Sequence, residues 1–381
     1  MAGAITYHQQ PSASSIQASD NPIIFVFSGA NYLQPNFSFV VETKINAIVV
    51  STVIVFPERA DRAHFDISQI TLALIKAGVR QSSSLYQLED LSTAQIRVAE
   101  RYGTIPSTQA FTDSNILKLM KARCDDDTFE VDWITINYPA SNKWLTDVPD
   151  VTYLASRKNS SWFSILNSEA NIVVNVYFYD QNDNQIAQSL GLAELQKDRV
   201  NICINPAILN ALLPPPLTVD DVYKVKITMN GKPIYVKFVD DDCEFKHQIS
   251  WLNKLGAYDQ QIFSHNRESA NNSQSQEYKK QFGNWSDDGL TFNHDPLSSG
   301  DTPYVKETTP TGSLYTGWIS QDYQNWLGEI LQSVDVQLET EEVTERIVVT
   351  DTKAEARQTK HEEIINFQLN YRKTNFKSIT Q

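Results

Sequence analysis

The most apolar stretch of this chain, Ala47 to Phe56, is built from Val and Ile with Ser and Thr among them. It is about half as long as the roughly 20 residues that a membrane-crossing helix needs. β-Branched side chains are stiff at χ1 and pack well on a pleated surface, so the stretch reads as strand, closed by Pro57. Similar short runs recur along the chain and point to a β-rich protein without membrane insertion.

Ile23-Ile24-Phe25-Val26-Phe27, after Asn21-Pro22, reads as a buried strand, and Phe37 to Val41 and Ile45 to Phe56 continue the pattern. The period then changes. Over Gln69 to Ala77 the residues Ile70, Leu74 and Ala77 share a helical face, with Asp66 or Ser68 as the cap and Gly78 at the end. Thr93 to Arg101 and Asp113 to Arg123 read as further short helices, and Glu130 to Tyr138 as a strand.

A second β-rich unit starts near Ser160. Its expected strands are Ser161 to Leu166, Ala170 to Tyr179, Gln185 to Ala187, Ile202 to Ile204, Val222 to Met229 and Pro233 to Val239. Asp180 to Asn184 is a polar turn between two of them, Asn230-Gly231 a strong hairpin signal, and Pro214-Pro215-Pro216 a stiff connector. The third part differs. Asn266 to Glu277, rich in Asn, Ser and Gln, reads as a long loop. Thr316 to Val334 reads as a helix, with Trp318, Ile319, Tyr323, Trp326, Leu327, Ile330 and Leu331 at three- and four-residue spacing. Arg346 to Thr350 and Glu362 to Tyr371 close the chain as strands.

A length of 381 residues suits two or three domains, each with its own core. The expected fold class is mainly β with α insertions: tandem β-sandwich-like domains followed by an α+β C-terminal part. The expected bounds are a flexible N-terminal arm over 1–20, a β-rich domain with inserted helices over 21–153, a β-sandwich-like domain over 154–249, and an α+β region over 250–381. Met1 to Ser19 has neither a basic start nor a continuous apolar core and is not read as a secretory signal.

The formal charge of -14 repels phosphate backbones, so no direct nucleic-acid binding is expected, although a local basic patch stays open. Cys124, Cys203 and Cys243 lie far apart and match neither a zinc spacing nor a disulfide framework. The six histidines (His8, His64, His247, His265, His294, His361) are scattered, and His361-Glu362-Glu363-Ile364-Ile365 has Ile where a zinc-protease helix needs its second His. No closely spaced glycines form a phosphate loop. Asp125-Asp126-Asp127 and Asp240-Asp241-Asp242 read as solvated turns beside strand ends. Asp180, Asn182 and Asn184 start like a calcium loop that fails at Gln185 and Gly191. No catalytic, cofactor-binding or metal residue is therefore assigned.

Three segments are distinctive: His64-Phe65-Asp66-Ile67-Ser68-Gln69-Ile70, then Ile249 to Asp259 (ISWLNKLGAYD) with Phe263, then Leu314-Tyr315-Thr316-Gly317-Trp318-Ile319. In this order, and with Asn21-Pro22-Ile23, the chain resembles uncharacterised virion proteins of tailed phages that infect Bacteroidetes, including crAss-like phages. The resemblance covers most of the chain. It implies a non-enzymatic virion structural protein, a tail, neck or baseplate component assembled in the host cytoplasm. Side-to-side contacts between identical copies would form a ring, docking on other virion proteins such as portal or neck components. The arm Met1 to Asp20 and the acidic stretch Glu339 to Glu345 are the candidate contact elements. Two other readings stay open: a carbohydrate- or receptor-binding adhesin using exposed aromatics such as Trp285 and Tyr304, and a glycan- or peptidoglycan-hydrolysing tail enzyme with dispersed acids.

Overall fold

The computed structural model describes residues 5–13, 16–59, 61–76, 84–123, 144–166, 171–194, 198–229, 231–239, 247–263, 265–280, 283–287, 289–294, 300–339, 344–351, 364–374 and 377–380. The protein is mainly β, with three short helices among the described residues.

The first strands are β1 (Thr6–Gln9), β2 (Ile16–Ala18), β3 (Ile24–Ser28), β4 (Ser38–Ile45), β5 (Ile48–Val55) and β6 (Arg62–Asp66). After helix α1 (Ser68–Leu74) come β7 (Tyr86–Glu89), β8 (Ser92–Tyr102), β9 (Ser107–Thr108), β10 (Thr112–Asp113) and β11 (Leu117–Met120). One sheet has the order β1-β3-β6, and a second runs β2-β11-β8-β4-β5 with β9 and β10 beside β8. Alternate residues of both sheets fill one core. Phe25, Phe27 and Ala63 from the first face Phe39, Val41, Ile96, Val98, Leu117 and Leu119 from the second. Period two places these side chains on one face of each strand, and stacking the two faces makes a β-sandwich.

A second sandwich follows. Its strands are β12 (Thr152–Ala155), β13 (Ser161–Leu166), β14 (Asn171–Tyr179), β15 (Gln185–Glu194) and β16 (Arg199–Ile204), then α2 (Pro206–Leu212), β17 (Lys224–Met229) and β18 (Lys232–Phe238). One sheet is β12-β18-β17-β14-β15 and the other β13-β16-β7. Tyr153 of the first and Phe163 of the second meet edge to face at 5.0 Å. Asn205 caps α2 by accepting from the Ile208 N–H at 2.9 Å, with Pro206 at the first helical position.

The remaining elements are β19 (His247–Leu252), β20 (Tyr258–Phe263), β21 (His265–Lys280), β22 (Gly283–Trp285), β23 (Phe292–His294) and β24 (Gly300–Ser320). Helix α3 (Gln321–Leu327) leads to β25 (Val336–Glu339), β26 (Thr344–Val349), β27 (Ile364–Lys373) and β28 (Lys377–Thr380). One sheet runs β20-β19-β25-β26-β27-β24-β21, with β28 beside β24. Trp326 of α3 packs on Trp251 of β19 at 4.9 Å between ring centres, above buried Leu327 and Ile330.

Several expectations are corrected by this arrangement. The described residues of the expected flexible arm, 5–13 and 16–20, are part of the first sandwich: β1 pairs with β3, β2 runs parallel to β11, and Ile5, Ala18 and Ser19 are buried. Thr93 to Arg101 is not a helix but the central strand β8, because Ala94, Ile96 and Val98 alternate into the core between β11 and β4. Asp113 to Arg123 likewise gives β11, with Leu117 and Leu119 inward. Asn266 to Glu277 is no loop; it lies within β21, held by β24 along its length. Thr316 to Ser320 stays extended because Trp318, Ile319 and Ser320 pair with β27, so the helix starts only at Gln321, capped by Ser320. Glu130 to Tyr138 lies outside the described residues.

The unit boundaries also differ. The chain forms two compact units, Met1–Val239 with Leu252–Gln260, and Asp240–Trp251 with Gln261–Gln381. Both sandwiches fall in the first unit because β7, early in the chain, completes the second sandwich by pairing with β16. The segment 252–260 joins that unit through the turn of the ISWLNKLGAYD motif. Leu255 and Ala257 enter a small cluster with Ala18, Met120, Ala122, Leu145 and Leu166. Asn253 shapes the turn by accepting from the Leu255 and Ala257 N–H groups, both at 3.0 Å, and donates to the Leu145 carbonyl at 2.8 Å. Gly256 sits at φ +80°, where a Cβ would lie 2.5 Å from the Lys121 carbonyl oxygen.

Candidate functional site

Among the described side chains, the groups that chemistry would need do not converge. His8 bonds Ser28 at 2.8 Å, His64 pairs with Glu58 at 2.9 Å, and His247 is buried. The side chains of His265 and His294, and all of His361, lie outside the described ones. Among the described residues no three His, Cys, Asp or Glu side chains are grouped to hold a metal ion. Asp180 accepts from the Asn182 N–H at 2.9 Å and from the Asn184 N–H at 2.8 Å. Bonds to Asn184 and Asn182 hold its carboxyl below the usual range, as in a self-contained turn. Cys203 is a buried thiol; Cys124, Cys243, Asp125 to Asp127 and Asp240 to Asp242 lie outside the described residues.

Among the described residues, parts of both sequence-based contact elements are engaged within the chain. Asp20 pairs with Lys121 at 2.8 Å. Glu339 is buried and accepts from Ser250 at 2.5 Å and Gln248 at 2.9 Å, while Glu345 pairs with Lys373 at 2.6 Å. The solvent face of the β17 sheet carries the local basic patch left open by the charge balance. Lys226 lies 5.5 Å from the Tyr177 ring and 5.9 Å from Tyr235, and Lys224 lies 5.0 Å from Tyr179 and pairs with Asp183. Those lysines already have partners within the sheet.

One surface is anomalous. β5 ends the second sheet of the first sandwich, and among the described residues no strand lies beyond it. It is joined to β4 by a tight turn in which Asn46 and Ala47 both have positive φ, 49° and 65°. That geometry matches the twist of a two-residue hairpin. The turn is fixed from behind, since Asn46 exchanges two bonds with Thr93 of β8 at 2.8 and 2.9 Å. β5 is therefore paired along one side, while its other side has no strand beside it among the described residues.

What it presents is apolar. Ile48 is 68% exposed, Ile54 46% and Phe56 67%, and Val49, Val50 and Val53 are exposed with them. From Ile48 to Phe56 there is no charged residue. The nearby charges of the sheet are spent on each other: Glu42 with Arg97, and Lys44 with Asp113 at 3.4 Å. Natural edge strands are usually blunted by Lys, Pro, a bulge or brevity. β5 has eight residues and neither Lys nor Pro until Pro57, with one break in its pairing at Val50, where the register to β4 shifts. Its free N–H and C=O row offers ladder bonds, and the side chains gain by leaving water. Sequence reading found the strand but not this role. The available signal was that Ile48 to Phe56 is apolar at both parities, which a one-sided edge strand does not need.

A smaller aromatic patch lies on the β22–β23 hairpin, where Trp285 is 65% exposed and meets Phe292 edge to face at 5.4 Å. The side chain of Tyr304 lies outside the described ones.

No protein-family profile matches the chain, and no curated protein matches it in sequence. Among solved structures it is similar to the calcium-binding domain CBD12 of CALX1.1, with 10% identity and a TM-score of 0.20 over 63% of this chain and 82% of that one. Dpr2 Ig1-Ig2 in complex with DIP-Theta Ig1-Ig3 gives 7% identity and 0.21 over 98% and 93%. The N-terminal four Ig domains of Dscam1 isoform 4.44 give 8% and 0.17 over 81% and 96%. Likenesses this low carry no argument about function, and the sandwich architecture rests on the sheet pairing and cores described above.

Proposed function

We propose that this chain is a non-enzymatic structural subunit that assembles with copies of itself, a virion component of the tail, neck or baseplate kind. The observation that carries the self-assembly is the bare, uncharged, apolar edge β5 on a rigid sandwich. The virion assignment rests on the resemblance of the three sequence segments. Their residues have structural tasks that fit such a role: Asp66 ties the β6–α1 junction to Ile23 at 3.0 Å, Trp251 is buried against Trp326, and Gly256 closes a tight turn. Ring formation would add many modest contacts into one stable body.

Light scattering of the purified chain, with negative-stain imaging of the same sample, tests this reading. The expected result is a particle of fixed copy number. A monomer at every concentration up to about 100 μM, far above the range of specific interfaces, would reject self-assembly. A second reading, a carbohydrate-binding adhesin, is favoured by exposed Trp285 beside Phe292. A glycan array would show binding lost in Trp285→Ala if that reading were right.

A further inference from the structure

We propose that the solvent face of the β17 sheet docks on the acidic surface of a second copy, so that copies join head to tail. The inference rests on the self-assembly reading above. It adds a surface other than the β5 edge, the chemistry that surface takes and the kind of contact it makes.

The face is a small checkerboard. Pairing aligns Tyr179, Lys224 and Lys237 in one row and Tyr177, Lys226 and Tyr235 in the next. Their strand neighbours Val176, Phe178, Val225, Ile227 and Val236 are buried in the sandwich, so period two turns all six outward. Gln185 and Gln188 of β15 and Leu154 and Thr152 of β12 extend the rows, so neither row contains an acid. Lys226 lies against the Tyr177 and Tyr235 rings, and Lys237 lies 5.1 Å from the Tyr223 ring. A ring face steadies an ammonium group without cancelling its charge.

This arrangement costs the fold something. Lys224 and Lys237 are directly opposed across β17 and β18, and like charges so placed destabilise a sheet. The chain has 46 acidic residues against 32 basic ones and elsewhere sets them beside its cations, as in Arg97 with Glu42, Lys121 with Asp20 and Arg199 with Glu89. On this face only Lys224 has a carboxylate among the described residues, that of Asp183, and Lys226 and Lys237 have none. A local rule broken without internal compensation marks a surface kept for a partner.

The occupant follows from charge. Asp183, whose side chain is 67% exposed, shows that the face takes carboxylates. A second copy, with a net charge of -14, offers them in excess. The face cannot dock on its own counterpart, because lysines would meet lysines. Each copy therefore uses two different surfaces, and a heterologous contact of this kind closes into a ring or runs on as a filament. A closed ring has the fixed copy number expected above.

The test uses the full chain and the double variant Lys226→Glu, Lys237→Glu, dialysed from high into low salt and followed by sedimentation. The double variant should associate roughly 100-fold more weakly. Particles of the unsubstituted chain should loosen between about 50 and 500 mM salt, as screening shortens the reach of the charges. Lys237→Glu alone puts an acid opposite Lys224, so its urea midpoint should not fall, which separates lost docking from lost folding. A copy with the reversed face keeps its acidic surface. Mixed in excess before dialysis, it should cap the unsubstituted chain and give shorter, open pieces.

Unchanged particles of the double variant, with the same salt dependence, would overturn the docking face while leaving self-assembly standing. A double variant that fails to assemble but leaves the unsubstituted particles intact in the mixture would overturn the head-to-tail contact. A chain that stays monomeric at every salt concentration would overturn this inference and the self-assembly reading together. Binding of poly-glutamate or of an oligonucleotide by that monomer, lost in the double variant, would then give the face to a different acidic protein or to a nucleic acid.

Discussion

β5 and β21 both end their sheets without a further partner among the described residues, and they do so in opposite ways. β21 has 16 residues and β5 has eight, so by length alone β21 is the greater liability. Yet β21 is Ser, Asn, Gln and Glu over most of its course, and residues 269–277 are exposed on both faces. Water satisfies its free N–H and C=O groups, and its side chains gain little by leaving water. β5 offers the same backbone row under Val and Ile, each of which gains about 25 cal/mol per Å² of apolar surface covered. An edge becomes an interface through what its side chains lose to water, not through the length of its ladder.

The opposite edge of the β5 sheet sharpens this contrast and carries the largest expected effect. There β2 is only three residues long, sits against β11 and is mostly buried. Deleting residues 1–20 would strip that cover, uncover β11 and remove Ile5 and β1 from the core. A loss of ~4 kcal/mol or more is expected from the buried side chains and two ladders. Urea unfolding would measure it, and a deletion variant as stable as the whole chain would show that the segment is an arm after all.

Next in size is the direct comparison of the two bare edges. Val50→Lys on β5 should reduce association by roughly 100-fold, whereas Gln274→Lys on β21 should leave it within about threefold. Both should fold with stability changes within about 0.5 kcal/mol, as surface substitutions do. Equal effects in sedimentation measurements would end the distinction drawn here between apolar and polar edges.

Gly256→Ala separates folding from assembly. A methyl at φ +80°, 2.5 Å from the Lys121 carbonyl, should cost about 2–3 kcal/mol. Because β5 lies in a different part of the first unit, the folded variant should still associate. Lost association at temperatures where its near-UV dichroism is intact would tie β5 to that turn.

Where burial produced a clean period, the sequence was readable. β3, β4, β13, β14, β17 and β18 come close to the stretches expected from their β-branched runs, and the Asp180 to Asn184 turn stands between β14 and β15. β8 was misread because Thr93 to Arg101 also offers Ala94, Val98 and Arg101 at helical spacing; the tertiary context of β4 and β11 decided for alternation. β21 was unreadable in principle. A strand solvated on both faces has no period, and only its partner, β24, 20 residues further on, makes it extended. The same physics hid β1 and β2, which are short and polar and owe their place to sheets built mainly from later residues. The candidate site was half legible: the sequence held the charge-free run, but the missing neighbour of β5 is a property of the assembled sheet.

The smallest expected effect concerns the layer beneath that sheet. Tyr7 of β1 donates its hydroxyl to the Thr112 carbonyl of β10 at 2.9 Å, tying one sheet of the first sandwich to the other. Burial, and then the nearby Asp113 carboxylate, push the phenol well above the ordinary tyrosine value. The folded state therefore holds this proton more tightly than the unfolded chain. The resulting stability is complete below the unfolded pKa of about 10 and is lost as pH rises from there toward the folded value. Tyr7→Phe has no proton to lose. It should be less stable by about 1 kcal/mol at pH 8, the worth of one hydrogen bond, and the gap should narrow by pH 11. Parallel stability curves for the two proteins would remove Tyr7 as the titrating clamp. Association followed over the same range then asks the last question about the edge. If Val50-dependent association persists while the clamp weakens, β5 works from the rigidity of its own sheet and not from the layer behind it.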